Sequence, residues 1–187
     1  MGEDKSTIDL NHSIRLAKQA DAPLLAAMGA KTFSETFAKD NTPQDLAEYL
    51  RKNFSPEIQS TELAQPGSLF LILEKGGTPA GYARLLDHSS EACLKESDQW
   101  GHLHLMELVR IYLLQAKTGY RLGDVLMKAC LEQAQMQGAE VLWLGVWERN
   151  AHAIAFYSRW GFEKVGTHIF LLGQDRQTDN IMARRVS

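Results

Sequence analysis

Residues 141 to 147 read VLWLGVW, a run in which every side chain is apolar and the remaining position is a glycine. Seven residues are too few for a stable helix, and no polar residue alternates to face water, so the run predicts a buried strand covered on both faces. A chain built around such a strand must cover both sides of the sheet that holds it. With 187 residues there is enough chain for one domain with a substantial core. The polar, acidic start MGEDKSTIDLN predicts a disordered lead-in over residues 1–11, and a single domain is expected over 12–187.

Flanking patterns supply the rest of the sheet and its covering. Alternation at Ile14 and Leu16 predicts a strand over 13–17, and Asp21 followed by Pro23 marks a helix start. That helix carries Leu24, Leu25, Met28, Phe33 and Phe37 and is expected to bend or break near Gly29 and Lys31. A second helix opens at Thr42-Pro43 and runs through Leu46, Tyr49 and Leu50, and a third, short one precedes Pro66. Residues 68–74 and 81–86 read as strands joined at EKGGTP, and 102–114, HLHLMELVRIYLL, as a long strand. A helix is expected from Leu122 to about Gln137, ended by Gly138, and another from Asn150 to Trp160, ended by Gly161. The sheet closes with strands over 162–165, 168–172 and 181–183.

Composition narrows the function. A formal net charge of −3 is unsuited to general nucleic-acid binding. Cys93 and Cys130 form no CxxC pair and suggest neither a disulfide framework nor a zinc site. No stretch of about 18 apolar residues occurs, and the N-terminus lacks the basic start and apolar run of a signal peptide. A cytoplasmic location, with no membrane span, is the expectation. The segment 87–101 sets Asp87, Glu91, Glu96 and Asp98 against Lys95 alone; it is either a solvated loop or an acidic rim that attracts a cationic substrate. His102 and His104 share one face of their strand, but no third ligand is spaced to join them, and no metal is expected.

Chemistry gathers around residues 117 to 125, KTGYRLGDV. A strand, a glycine-containing turn and a helix in that order form an anion site, because free N–H groups and the helix dipole point into the turn. The turn is neither a dinucleotide fingerprint nor a Walker loop. Downstream, NAHAIAFYSRWGF sets Asn150, Ala153, Tyr157, Gly161 and Phe162 behind the buried strand. This order resembles the GNAT superfamily of acetyl-CoA-dependent N-acetyltransferases, whose helix reads N-x-x-A-x-x-x-Y-x-x-x-G-F. The superfamily's cofactor loop carries Gln or Arg, two residues, Gly, one residue, then Gly or Ala. Here Thr118 stands at the first position, Arg121 replaces the first glycine and Gly123 is intact. The segments FSETFAKDNTPQDLAEYL, MELVRIYLL, LWLGVWERNAHAIAFYSRWGF and QDRQTDNIMAR are similar to PaiA-type acetyltransferases, a group associated with spermidine and spermine acetylation.

The resemblance implies an α/β fold with a mixed, mostly antiparallel central sheet, splayed between strands four and five and flanked by helices. It implies acetyl-CoA as cosubstrate, with its pantetheine arm along Ile111, Tyr112 and Leu113. Its pyrophosphate would lie over Thr118, Gly119, Tyr120, Arg121, Leu122, Gly123 and Asp124, with charge from Lys117 and Arg121. Arg121 is expected in ordinary helical geometry, since a positive φ would cost about 1–2 kcal/mol. Asn150 is first an N-cap; the resemblance adds contact with the pantetheine arm at Asn150 and Ala153. Tyr157, seven residues on, is the candidate acid for the leaving thiolate. Glu107, eleven positions before Thr118, is either the base, working through water, or a strand glutamate paired with an arginine; Glu35 is the alternative base. The implied acceptor is a primary amine, a polyamine being one candidate, and a homodimer is the implied assembly. The rival reading is a non-catalytic acyl-CoA-binding module acting as a sensor or regulator.

Overall fold

A computed structural model describes residues 11–117, 121–172 and 175–186. In chain order its elements are β1 (His12–Leu16), α1 (Ala22–Phe37), α2 (Pro43–Asn53), α3 (Pro56–Ala64), β2 (Ser68–Lys75), β3 (Thr78–Asp87) and α4 (Ala92–Lys95). There follow β4 (Leu105–Leu113), α5 (Leu122–Met136), β5 (Val141–Trp147), α6 (Ala151–Arg159), β6 (Glu163–Leu172) and β7 (Asp175–Arg185). The strands form one sheet in the order β1-β2-β3-β4-β5-β7-β6, with β4 and β5 parallel and every other pair antiparallel. This is the expected class: a mixed, mostly antiparallel sheet flanked by helices.

Local chemistry sets most boundaries where the residues predict them. Thr42 accepts a hydrogen bond from the Asp45 N–H (3.1 Å) and Ser55 one from the Ile58 N–H (3.2 Å), with Pro43 and Pro56 as first helical residues. Gly76 and Gly77, at φ 58° and 73°, make a two-residue hairpin between β2 and β3, so Pro79 falls inside β3 rather than in the turn. Asp21 starts the first helix in a different manner from a simple cap. Its carboxylate accepts from the Lys18 N–H (2.7 Å) and, at 2.8 and 2.9 Å, from the Arg15 guanidinium, which also donates to Glu74 on β2 (3.0 Å). Arg15 thus ties the entry of α1 to the first two strands and holds the Asp21 carboxyl down to about 2.

The VLWLGVW strand is covered on both faces, as its composition requires. Leu142, Leu144 and Val146 of β5 pack with Leu122, Leu126, Met127 and Cys130 of α5, while Val141 and Trp143 join Leu94, Trp100 and Ile181 on the opposite face. Farther along that second face, Leu25 and Met28 of α1 meet Phe70, Ile72 and Tyr82. An ionic set fastens α3 over the sheet. Glu62 accepts from Arg84 of β3 (2.6 Å) and from Arg110 of β4 (2.5 and 2.9 Å), and Gln65 accepts from Arg84 (2.7 Å).

Four expectations need correction. Helix α1 runs unbroken through Gly29 and Lys31, because Gly29 is there for packing: a Cβ would overlap the Phe54 ring and stand 2.8 Å from the Tyr82 hydroxyl. The segment 87–101 is not all loop, since it includes α4. His102 and His104 precede β4, and residues 163–172 form one bulged strand rather than two, paired with a β7 much longer than 181–183. The bulge lies between Lys164 and Gly166, where the alternation that marks a strand is interrupted. Cys93 and Cys130 are free thiols.

Helical propensity alone would favour alanine at Gly29 by about 1 kcal/mol. Overpacking against Phe54 should outweigh it, so Gly29→Ala is expected to lose about 1–3 kcal/mol in urea denaturation. A gain in stability would show that α1 stands off the sheet.

Candidate active site

The sheet opens where its two parallel strands part. β4 and β5 pair only at Leu105 with Val141, Met106 with Leu142 and Glu107 with Trp143. Beyond that point β4 continues to Leu113 against β3, and β5 continues to Trp147 against β7. A cause lies in β4 itself. Arg84 pairs with Arg110 and Leu85 with Leu108, so Val109 is an extra residue in the ladder, and a bulge bends and twists its strand. The bend begins two residues after the last β4–β5 pair.

A cavity of about 260 Å³ fills the opening. Leu108 to Tyr112 form one wall and Gly145 to Trp147 the other, with Asn150, Ala153 and Tyr157 along one end. Phe33, Phe37 and Tyr49 come from the first two helices, and His168, Gln177 and Asp179 from the last two strands. The cavity therefore gathers Ile111, Tyr112, Asn150, Ala153, Tyr157 and Glu107. Leu113 continues the same edge but packs against the core.

The anion turn is seen in part. Lys117 closes a 3-10 turn over Gln115–Lys117, whereas Thr118, Gly119 and Tyr120 lie outside the described residues. Arg121 is not in helical geometry as expected: its φ of 55° and ψ of 27° place it in the left-handed region, the conformation for which glycine is the usual choice. Its carbonyl accepts from the N–H groups of Asp124 (3.0 Å) and Val125 (3.1 Å), so this residue starts α5. The guanidinium is exposed and donates to Asp124 (3.1 Å), whose other oxygen accepts from the Trp160 indole N–H (3.1 Å). Asp124, which would repel a phosphate, is therefore directed toward Arg121 and toward the end of α6. Leu122 is buried in the core. Gly123 has ordinary room for a Cβ beside Phe156 (3.5 Å) and Leu113 (3.7 Å), so internal packing does not demand the glycine.

Helix α6 presents its residues as the motif spacing predicts. Asn150 caps it, its Oδ1 accepting from the Ala153 N–H at 3.1 Å. Two turns later Tyr157 packs its ring against Phe156 and Phe162, with centroids 5.5 and 5.8 Å away. Burial, with Cys130 as a lesser influence, pushes the phenol above its ordinary value. Among the described residues nothing hydrogen-bonds its hydroxyl.

Among the described residues Glu107 makes no ion pair with an arginine. Its carboxylate accepts from the Ser89 hydroxyl (2.5 Å), and burial raises its pKa against the opposing pull of Ser89 and Arg84. The alternative base, Glu35, is exposed, accepts from the Gln115 N–H (3.0 Å) and takes no part in lining the cavity.

Two acids of the 87–101 segment are engaged by histidines. Asp87 meets His104 Nε2 at 2.5 Å, and Glu91 Oε1 meets His168 Nδ1 at 3.0 Å. Glu96 and Asp98 remain exposed. His104 also has His88 stacked on it at 4.4 Å, so Asp87, His88 and His104 assemble donors that sequence spacing alone does not bring together.

Sequence reasoning missed His168 and Asp179, which stand across from Gly145. A Cβ there would lie 3.5 Å from Asp179 Oδ2 and 3.9 Å from His168 Cε1. The glycine that interrupts VLWLGVW was the available signal, since glycine inside a strand marks a close approach.

Comparison with known proteins places this chain in a family. The model of the acetyltransferase (GNAT) family matches residues 32–162. An uncharacterized N-acetyltransferase of Lactobacillus delbrueckii subsp. lactis is 37% identical over 166 residues, covering 89% of this chain and 92% of that protein. An uncharacterized N-acetyltransferase of Mycobacterium tuberculosis is 31% identical, covering 89% and 98%. The chain belongs to the GNAT family of acetyltransferases. Its fold is that of the PaiA N-acetyltransferase of Thermoplasma acidophilum, crystallised with coenzyme A, at a TM-score of 0.72, 20% identity and coverage of 94% and 99%. YncA of Salmonella typhimurium, solved with acetyl-CoA, aligns at a TM-score of 0.59 and 21% identity over 95% of each chain.

The bridge from Asp124 to Trp160 gives a test of how α5 and α6 are held together. Asp124→Asn keeps an oxygen for the indole and should unfold close to wild type. Asp124→Ala leaves that part-buried N–H without its partner and should lose about 1–3 kcal/mol in urea titration.

Proposed function

We propose that this protein transfers an acetyl group from acetyl-CoA to a primary amine within the cavity between β4 and β5. The observation that carries the reading is the unpaired β4 edge facing the Tyr157 helix across that cavity. A pantetheine arm can add to such an edge through its amides, at Ile111 to Leu113, in the manner of an extra strand. The N–H groups at the start of α5, including those of Leu122 and Gly123, suit a pyrophosphate, and Gly123 adds no side chain of its own. Asn150 and Ala153 would border the arm from the other side.

Acetyl-CoA supplies a thioester whose carbonyl carbon accepts the nitrogen and whose sulfur departs as thiolate. Tyr157 is the acid for that sulfur. Its burial keeps the phenol protonated well into the alkaline range, so the acid stays loaded. Glu107 is the base, acting through water. Its raised pKa makes it a better proton acceptor than an ordinary carboxylate, and the Ser89 hydroxyl fixes its orientation. A polyamine such as spermidine is the acceptor that the PaiA resemblance suggests, with Glu96 and Asp98 as the exposed acids left to attract it. The departure at Arg121 keeps a second reading in view, a non-catalytic acyl-CoA-binding module. Free thiol release from acetyl-CoA over an amine panel separates the two.

Coenzyme A should raise the melting temperature, because a ligand bound only by the folded state adds about 2.7 kcal/mol at a hundred times its Kd. An unchanged melting temperature at millimolar coenzyme A would count against both readings. Tyr157→Phe preserves the packing and should lower turnover by about 10²-fold or more, with acetyl-CoA affinity near wild type. In the wild type no alkaline fall in rate from this phenol is expected below about pH 10. Normal turnover by the mutant with every amine would remove Tyr157 from the mechanism.

A further inference from the structure

We infer that His168, oriented by Glu91, takes the first proton from the incoming amine and so makes it a nucleophile. This rests on the acetyltransferase reading and adds to it an acceptor-side residue. His168 lines the cavity from β6, and its ring nitrogens have different partners. Nδ1 lies 3.0 Å from Glu91 Oε1 and Nε2 lies 3.8 Å from Asp179 Oδ2. A carboxylate can only accept, so in the neutral ring Nδ1 carries the hydrogen and donates it to Glu91. Nε2 is then left with its lone pair. Cε1, the ring carbon between the two nitrogens, lies on the side where Gly145 has no side chain, 3.9 Å from where a Cβ would stand. A base whose far nitrogen is fixed by a carboxylate is oriented for proton transfer. Once protonated, the imidazolium has Glu91 on one side and Asp179 on the other.

Proton balance gives this residue its task. An alkylammonium loses two protons in becoming an amide, and the departing sulfur gains one, so one proton per turnover must reach solvent. Before attack, the ammonium passes a proton to His168 Nε2. The neutral nitrogen then forms the C–N bond, the C–S bond breaks, and Tyr157 gives its proton to the sulfur. The second proton leaves nitrogen for Glu107 through water and restores Tyr157. The first departs from His168, which with Glu91 is about a third exposed. Among the described residues the charged groups that act on the imidazole are Glu91, Asp179 and Glu107, from the segment before α4, from β7 and from β4.

The test uses two amines of similar size, ethylamine, which is protonated at neutral pH, and 2,2,2-trifluoroethylamine, which is not. His168→Asn should lower kcat/KM by about 10²-fold with ethylamine and by much less with the fluorinated amine, which arrives already neutral. Equal losses with both would make His168 structural and overturn the inference, and so would no loss with either. A second measurement needs no turnover: the ¹⁵N resonances of the His168 ring, assigned by their disappearance in His168→Asn. They should show the neutral ring protonated at Nδ1, with Glu91→Ala abolishing that preference. A neutral ring protonated at Nε2 would overturn the inference even in an active enzyme. Wild-type protein that acetylates no amine in the panel would instead remove the transferase reading and this role together.

Discussion

One extra residue in one strand governs the working part of this molecule. Val109 bulges from the β3–β4 ladder just after β4 has made its third and last pair with β5. The bend that follows leaves β4 paired with β3 from Met106 to Leu113, so its other edge is held in strand geometry with no strand beside it. Backbone donors and acceptors at such an edge must find a partner in water or in a ligand. The cavity, the unpaired edge and the approach of α6 all follow from that local change in register.

The bend is braced from outside the sheet. Arg84 and Arg110, opposite one another beside the bulge, both donate to Glu62 of α3, and Arg84 is only 6% exposed. Buried charges like these contribute little net stability compared with apolar side chains of the same size, because desolvation opposes their attraction. Their geometric demand is strict, however, since losing any partner leaves an unpaired charge. The set therefore fixes where α3 sits and which way β4 turns. The Arg110 guanidinium also lies 5.1 Å from the centre of the Phe54 ring, which closes over Gly29. Helix α1 is consequently registered to the same point of the sheet.

Much of this was legible from residues whose signal is local. The caps at Thr42 and Asn150, the glycines after α5 and α6, and the apolar run of β5 each act within a few positions, so pattern and structure agree there. What sequence did not show depends on partners far away in the chain. Gly29 reads as a helix breaker until Phe54 is laid against it. Arg121 reads as helical because strain argues against a positive φ, yet the turn into α5 adopts the geometry that a glycine at that position would take. The penalty for a non-glycine residue there, about 1–2 kcal/mol, is small beside the stability of a whole domain. The 163–172 strand reads as two because its bulge interrupts the alternation.

The same division runs through the site. In the proposed function the cofactor lies along two stretches, 111–124 and 150–157, whose fixed spacings a motif can reveal. The rest of the cavity is lined from α1, α2, β5, β6 and β7, with Glu91 reaching His168 from the segment before α4, and no spacing recurs among them. In that half the position of a side chain depends on register: His168 faces Asp179 because β6 and β7 pair them directly, and Gly145 opens onto both because Asp179 is paired with Trp147 two positions along β5. A slip of one residue in either ladder would turn these groups to the opposite face. The chemistry of that half of the cavity is therefore set by strand pairing rather than by spacing along the chain.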